Sequence, residues 1–305
     1  MTRHLPAGSI PPLTTLASVV VVIGSAVLLG VGEGDSELAN GVPWTVWKLC
    51  GGLAVGLFLT IFVLGIRILR DPGDWGIVEA QPRIRPYLVA IGVAFSAAFV
   101  WKALNWNYDA DLDAINDVQS RTNSLLLTAL VAAAPMVTIV WLAHEECLRL
   151  RDLMPGRPLG DNVKHLLRLW RLLVTCIGAF AVGVVAALVT SGALRATQLA
   201  AHPDDADRFP PSNVLFYGAF FAVLLTLLAL PMVLTWRARA RELVSSAHPL
   251  PDDGLPTDAW ASERDRLEKA LHLDTGLFAN PLTALTIFTP LITSLLAAFI
   301  PQLGG

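Results

Sequence analysis

An all-α, polytopic transmembrane bundle of seven spans is the fold class this sequence predicts, with the N-terminus cytoplasmic and the C-terminus outside. Three observations predict it. Of 305 residues, 54% are hydrophobic and only 15% charged, against about a quarter charged in soluble domains. Apolar runs of membrane length recur along the chain, and the polar segments between them are too short for a soluble domain of ordinary size. Lysine and arginine fall on alternate sides of those runs with one consistent bias. The whole chain, 1–305, is therefore read as a single transmembrane domain.

The spans are placed at about 13–31, 44–69, 87–104, 123–148, 166–194, 214–236 and 277–300. The first superficially resembles a signal peptide. It is longer than a signal h-region, however, and Gly30, Val31, Gly32 and Glu33 offer no small-residue cleavage site, so it is taken as a retained span. Of the 22 basic residues, 17 lie on the N-terminal side of the spans, and the other five are Lys48, Lys102, Arg121, Arg195 and Arg208. That bias sets the cytoplasmic side. Trp44, Trp47, Trp101, Trp106 and Tyr108 cluster at the outer ends of the second and third spans, where an aromatic belt is expected. Arginine outnumbers lysine in an Ala-rich chain, a usage common in GC-rich bacterial genomes, so the expected location is a bacterial plasma membrane. Cys50, Cys147 and Cys176 sit at different depths in or at the end of spans and are read as small apolar fillers rather than a disulfide framework.

The longest segment outside the spans is the cytoplasmic loop 237–276. It starts as a basic extension carrying Arg237, Arg239 and Arg241, continues as a Pro- and Asp-containing linker, and then predicts a short amphipathic helix over about 258–272. Trp260, Leu267 and Leu271 share the apolar face of that helix, which is expected to lie on the membrane surface or on neighbouring loops.

The last span holds the candidate path. At about 100° per residue, Thr283, Thr286, Pro290, Thr293, Ser294 and Ala297 fall within roughly a quarter of its circumference, leaving Leu, Ile and Phe for the rest. Pro290 frees the carbonyl of Thr286, which places a hydroxyl beside an unpaired acceptor at membrane depth. Pro135 likewise frees the carbonyl of Val131 in the fourth span, but only Thr286 has a hydroxyl beside the freed carbonyl. Such a face lines a polar path or admits a neighbouring helix. Small residues four apart, Gly52 and Gly56 in the second span and Ala179, Gly183, Ala187 and Ser191 in the fifth, permit close helix contact.

Chemistry is densest at His144, Glu145, Glu146 and Cys147, with His165 across the loop. These are the residues on which a metal site or a membrane-interface enzyme would rest. The helical zinc motif needs a second His four residues after the first, and Leu148 stands there. Asp109, Asp111 and Asp113 alternate as in a calcium loop, but the required Gly and Glu are replaced by Ala114 and Ser120. There is no Walker, dinucleotide-glycine, G-x-S-x-G or H-E-x-x-H motif. No ionisable residue lies near the middle of a span, which disfavours a proton relay but not a pore lined by hydroxyls and carbonyls.

The leading expectation is thus a pore, channel or transport-type protein whose last helix contributes the path, with no cofactor. A non-catalytic membrane subunit or effector that binds a protein partner through its basic cytoplasmic loops comes second, and an interface enzyme third. The expected partners are the lipid bilayer, further copies of the chain and a cytoplasmic protein, with no nucleic acid.

Overall fold

The computed structural model describes residues 12–31, 39–70, 92, 96, 115, 117–203, 210–251, 256–273, 289 and 291–296. The expected third span at 87–104 and most of the seventh, including Thr283, Thr286 and Pro290, lie outside the described residues. Regular structure among the described residues is helical. It comprises α1 (Pro12–Gly30), α2 (Val42–Arg70), α3 (Val118–Leu153), α4 (Leu159–Ala201), α5 (Pro211–Ala247) and α6 (Asp258–Ala270), with one 3₁₀ turn at Met154–Gly156 joining α3 to α4.

Among the described residues, four helices, α2 to α5, are long and apolar enough to cross a membrane. Their outward faces carry Val63, Val131, Val223 and Leu227, all more than half exposed. A surface of that kind is stable in lipid and not in water. The chain is a multi-pass membrane protein.

Helix α2 is the hub, touching α1, α3 and α4, while α3, α4 and α5 pack on one another and α6 rests on α5. Glycine makes the hub possible. A Cβ on Gly52 would stand 2.6 Å from the Val22 carbonyl oxygen and 2.9 Å from Ala26 Cβ, and one on Gly56 would stand 2.6 Å from Val22 Cγ2. The Gly52/Gly56 pair is thus the contact face for α1, and close backbone approach substitutes for a hydrophobic drive that lipid cannot supply. Gly52→Ala is expected to cost about 1–3 kcal/mol, because the nearest obstacle is backbone that cannot rotate away. Gly24→Ala is the control, since nothing lies within 4 Å of that position. Thermal unfolding in detergent should show a clear loss for the first and none for the second.

Two further glycines set the other crossings. A Cβ on Gly65 would come 2.7 Å from Pro135 Cβ, and one on Gly183 would come 3.2 Å from Ile61 Cδ1. Pro135 therefore lies buried against α2. At the other end of the bundle Arg121, on α3, donates to the terminal carbonyls of α1 at Leu29 and Val31. It supplies N–H donors to a helix end whose carbonyls lack intrahelical donors. The same guanidinium lies 5.9 Å from the ring centre of Trp44, which stacks on Trp47 at 4.5 Å. Trp44 and Trp47 are fully buried here, not displayed in a lipid-facing belt as their position at a span end implied. They fill the space between α1, α2 and the start of α3.

The helices are much longer than the spans. α3, α4 and α5 have 36, 43 and 37 residues, so they extend about 54, 64 and 55 Å, against a hydrocarbon core about 30 Å thick. The excess lies at one end. From the Gly65–Pro135 crossing, α2 stops after five residues at Arg70, whereas α3 runs on for 18 to Leu153, a difference of about 20 Å. The Gly183–Ile61 crossing yields a similar overshoot for α4. At this end, which carries the basic residues, α3, α4 and α5 continue as a three-helix extension. Its core of Leu150, Met154, Leu166, Leu169, Leu243 and Val244 is continuous with that of the bundle.

Helix α6 caps the extension. Thr257 accepts a hydrogen bond from the Trp260 backbone N–H at 3.2 Å, the Trp260 indole donates to the Pro249 carbonyl at 3.0 Å, and Arg264 lies 5.3 Å from the Trp260 ring centre. Leu271, just past the helix, is fully buried in the same core. With Leu267 and Leu273 packed against the same core and Arg237 donating to the Leu273 carbonyl, it ties α6 to the bundle.

Candidate functional site

Two places concentrate chemistry, one in the basic-end extension and one at membrane depth. The first begins with the apolar stripe of α3. Ile139, Ala143, Glu146, Leu150 and Met154 recur at three- and four-residue spacing, so they share the face turned toward α4 and α5. Glu146 is the acidic member of that stripe and is 2% exposed. His165, one turn into the facing part of α4, brings Nε2 to 3.0 Å from Glu146 Oε1. The contact is at ion-pair distance but off the line of a straight hydrogen bond, and Glu146 Oε2 has no partner.

Polar groups continue around this pair. Asn162, also 2% exposed, donates through Nδ2 to the Met154 carbonyl at 3.2 Å and leaves Oδ1 buried without a partner. Arg239 on α5 is engaged with Glu242, while its Nε is buried and unpaired. His144 turns the other way and shares a 3.0 Å hydrogen bond with Thr235 Oγ1 on α5. Glu145 is exposed. The structure thus separates the sequence cluster. Glu146 and His165 come together, His144 serves the α3–α5 contact, and Glu145 faces outward. Among the described residues, no three His, Cys, Asp or Glu side chains converge as a metal site would require.

The second place is a cavity of 410 Å³ between α2 and α4. That size is within the range of about 300–1,000 Å³ typical of small-molecule sites. Leu53 and Leu57 on α2 and Gly178, Ala181, Val182 and Val185 on α4 form most of its wall, and Cys50 and, from the C-terminal segment, Thr289 also line it. Residues 289 and 291–296 are helical. In this stretch Ser294 is fully buried and Thr293 half-buried, while Leu291, Ile292, Leu295 and Leu296 are exposed. The small, hydroxyl-bearing side of the described segment is turned inward and its aliphatic side outward. Ser294 returns its hydroxyl to the Leu291 carbonyl at 2.8 Å.

Thr289 escaped the sequence reading. At 100° per residue it lies about 40° beyond the edge of the Thr283–Ala297 stripe, next to Thr293. Asn162 and the inward turn of Glu146 were likewise missed, although both occupy core positions in a heptad-like stripe.

No known protein family, no curated protein and no solved structure matches the chain.

Proposed function

We propose that this is a transport-type membrane protein that passes amphipathic, lipid-like solutes along the seam between α2, α4 and the last helix. The observation that carries the reading is the composition of the 410 Å³ cavity. It is lined by aliphatic side chains from α2 and α4 together with the hydroxyl-bearing Thr289. One wall suits an acyl chain and the other a polar group. A bare ion would find too few oxygen ligands against the aliphatic side. Thr293, half-buried one turn on from Thr289, lies in the same described segment, and the sequence extends the hydroxyl stripe through Thr286 and Thr283.

Liposomes containing the protein should move a fluorescent short-chain phospholipid between leaflets, and Thr286→Val should reduce the rate several-fold. Vesicles in which the wild-type protein leaves the probe in its original leaflet would overturn the reading.

A second reading rests on a separate observation, the overshoot of α3, α4 and α5. With the basic end in the cytoplasm, that extension and α6 present a platform for a protein partner. A stable partner that copurifies with the chain and is lost on deleting 248–274 would favour it.

A further inference from the structure

The face of α4 that lines the cavity does not stop at the cavity. Gly178, Val182, Val185 and Val189 line it, and at 100° per residue Arg171, Val174 and Thr175 fall within about 60° of Gly178 on the same side of the helix. Helix α4 contains no proline that would turn the face away. All three residues are exposed. Arg171 is therefore in line with the cavity, seven residues toward the basic end, or about 10 Å.

Its level is marked by tryptophan. Trp170, its neighbour, packs on Trp236 with ring centres 4.6 Å apart, and His144 and Thr235 link this level to Trp141 on α3. Of these only Trp141, 37% exposed, is at the surface, where tryptophan favours the membrane–water boundary. Among the described residues Arg171 has no acidic partner, whereas Lys164, Arg239, Arg264 and Lys269 farther out are each paired with a carboxylate of the chain. Neither α2 nor α4 beyond Asp161 contains an acidic residue. The lane thus has, among the described residues, a guanidinium without a carboxylate partner at the boundary, exposed valine and threonine next, and an apolar cavity beyond.

We infer that Arg171 binds the phosphate of an anionic phospholipid from the leaflet at the basic end, with one acyl chain lying along Val174, Gly178 and Val182 into the cavity. This rests on the transport reading for its purpose, since it names the substrate class, but it is a binding statement that stands separately. A guanidinium at the boundary recognises phosphate through paired N–H donors while its stem stays in the apolar zone. The chain supplies the rest of the affinity, which free phosphate lacks.

The test is native mass spectrometry of the full chain from nanodiscs of equal phosphatidylcholine and phosphatidylglycerol. Retained lipid should be enriched roughly fivefold in phosphatidylglycerol, the effect of about one basic residue at a membrane surface. Arg171→Gln should abolish the enrichment, and Val182→Trp, which fills the lane, should reduce it. Arg149→Gln, an exposed arginine on α3, should leave it intact. Equal loss from Arg171→Gln and Arg149→Gln would reduce the effect to diffuse surface charge and overturn the site, as would full displacement by inorganic phosphate. The two readings fail differently. Arg171-dependent enrichment without lipid movement refutes transport and keeps the site, whereas lipid movement with enrichment indifferent to Arg171 refutes the site and keeps transport.

Discussion

Replacing His165 by leucine is expected to destabilise the protein by about 3–5 kcal/mol, the loss seen when one partner of a buried ion pair is removed. Glu146 has no other hydrogen-bond partner, and at 2% exposure it has no water to fall back on. The carboxyl would be left in an apolar layer formed by Cys147, Leu150, Leu166 and Leu169. The double substitution Glu146→Leu/His165→Leu removes both polar groups from that layer, and should recover most of the loss because packed apolar side chains replace a buried pair at little or no cost. Thermal unfolding in detergent measures both. The exposed pair of Lys164 and Asp161, 3.7 Å apart with side chains 82% and 62% exposed, is the comparison, and Lys164→Ala should leave stability unchanged. A neutral His165→Leu would mean that Glu146 is not held by His165.

The same pair shows what the sequence discloses and what it hides. Long apolar runs made α2, α3, α4 and α5 visible, because lipid demands about 20 apolar residues per crossing and little else produces such runs. Their ends were not visible. Spans were closed at 148, opened at 166 and closed at 236 where Arg and Glu begin to interleave, yet the helices run to Leu153, start at Leu159 and continue to Ala247. Beyond the lipid, a helix needs only one apolar stripe, and Leu150, Met154, Leu166, Leu169, Leu243 and Val244 supply it across three chains of turns. Charged residues on the outer faces made those segments look like loops. Glu146 stands beside His144 and Glu145 in one charged run, yet its spacing from Ala143 and Leu150 puts it in the stripe and Glu145 outside it.

The small-residue spacings carried information of a different kind. Gly52, Gly56 and Gly183 announced close contacts in the sequence, and each is a contact point within the bundle. What they could not announce was the partner, because a glycine records only that some backbone comes near. Pro135 illustrates the limit. It was singled out for the carbonyl it frees, and its ring abuts Gly65, which is a matter of which helix faces it. The described part of the last helix adds a sharper statement than the sequence permitted: its small polar side turns toward protein and its aliphatic side outward.

Trp236→Ala is the second substitution with a large expected effect, about 3–5 kcal/mol for loss of a buried indole. Trp236 is 1% exposed, packs on Trp170, and donates its N–H to the Leu166 carbonyl at 2.8 Å. It therefore joins α5 to α4 at the level where the bundle becomes the extension. Trp236→Phe separates the two contributions. It keeps the ring in place and loses only the hydrogen bond and part of the area, so it should cost about 1–2 kcal/mol. The cavity left by alanine would open beside Leu166 and Leu169, close to His165, so coupling between the two sites is also expected. Combining Trp236→Ala with His165→Leu should give a loss smaller than the sum of the singles, since neighbours that share one packed layer are not additive. Full additivity in the double-mutant cycle would show that the Trp236 contact and the Glu146–His165 pair stabilise separate parts of the extension. An alanine variant as stable as wild type would show that α5 is held to α4 by other contacts.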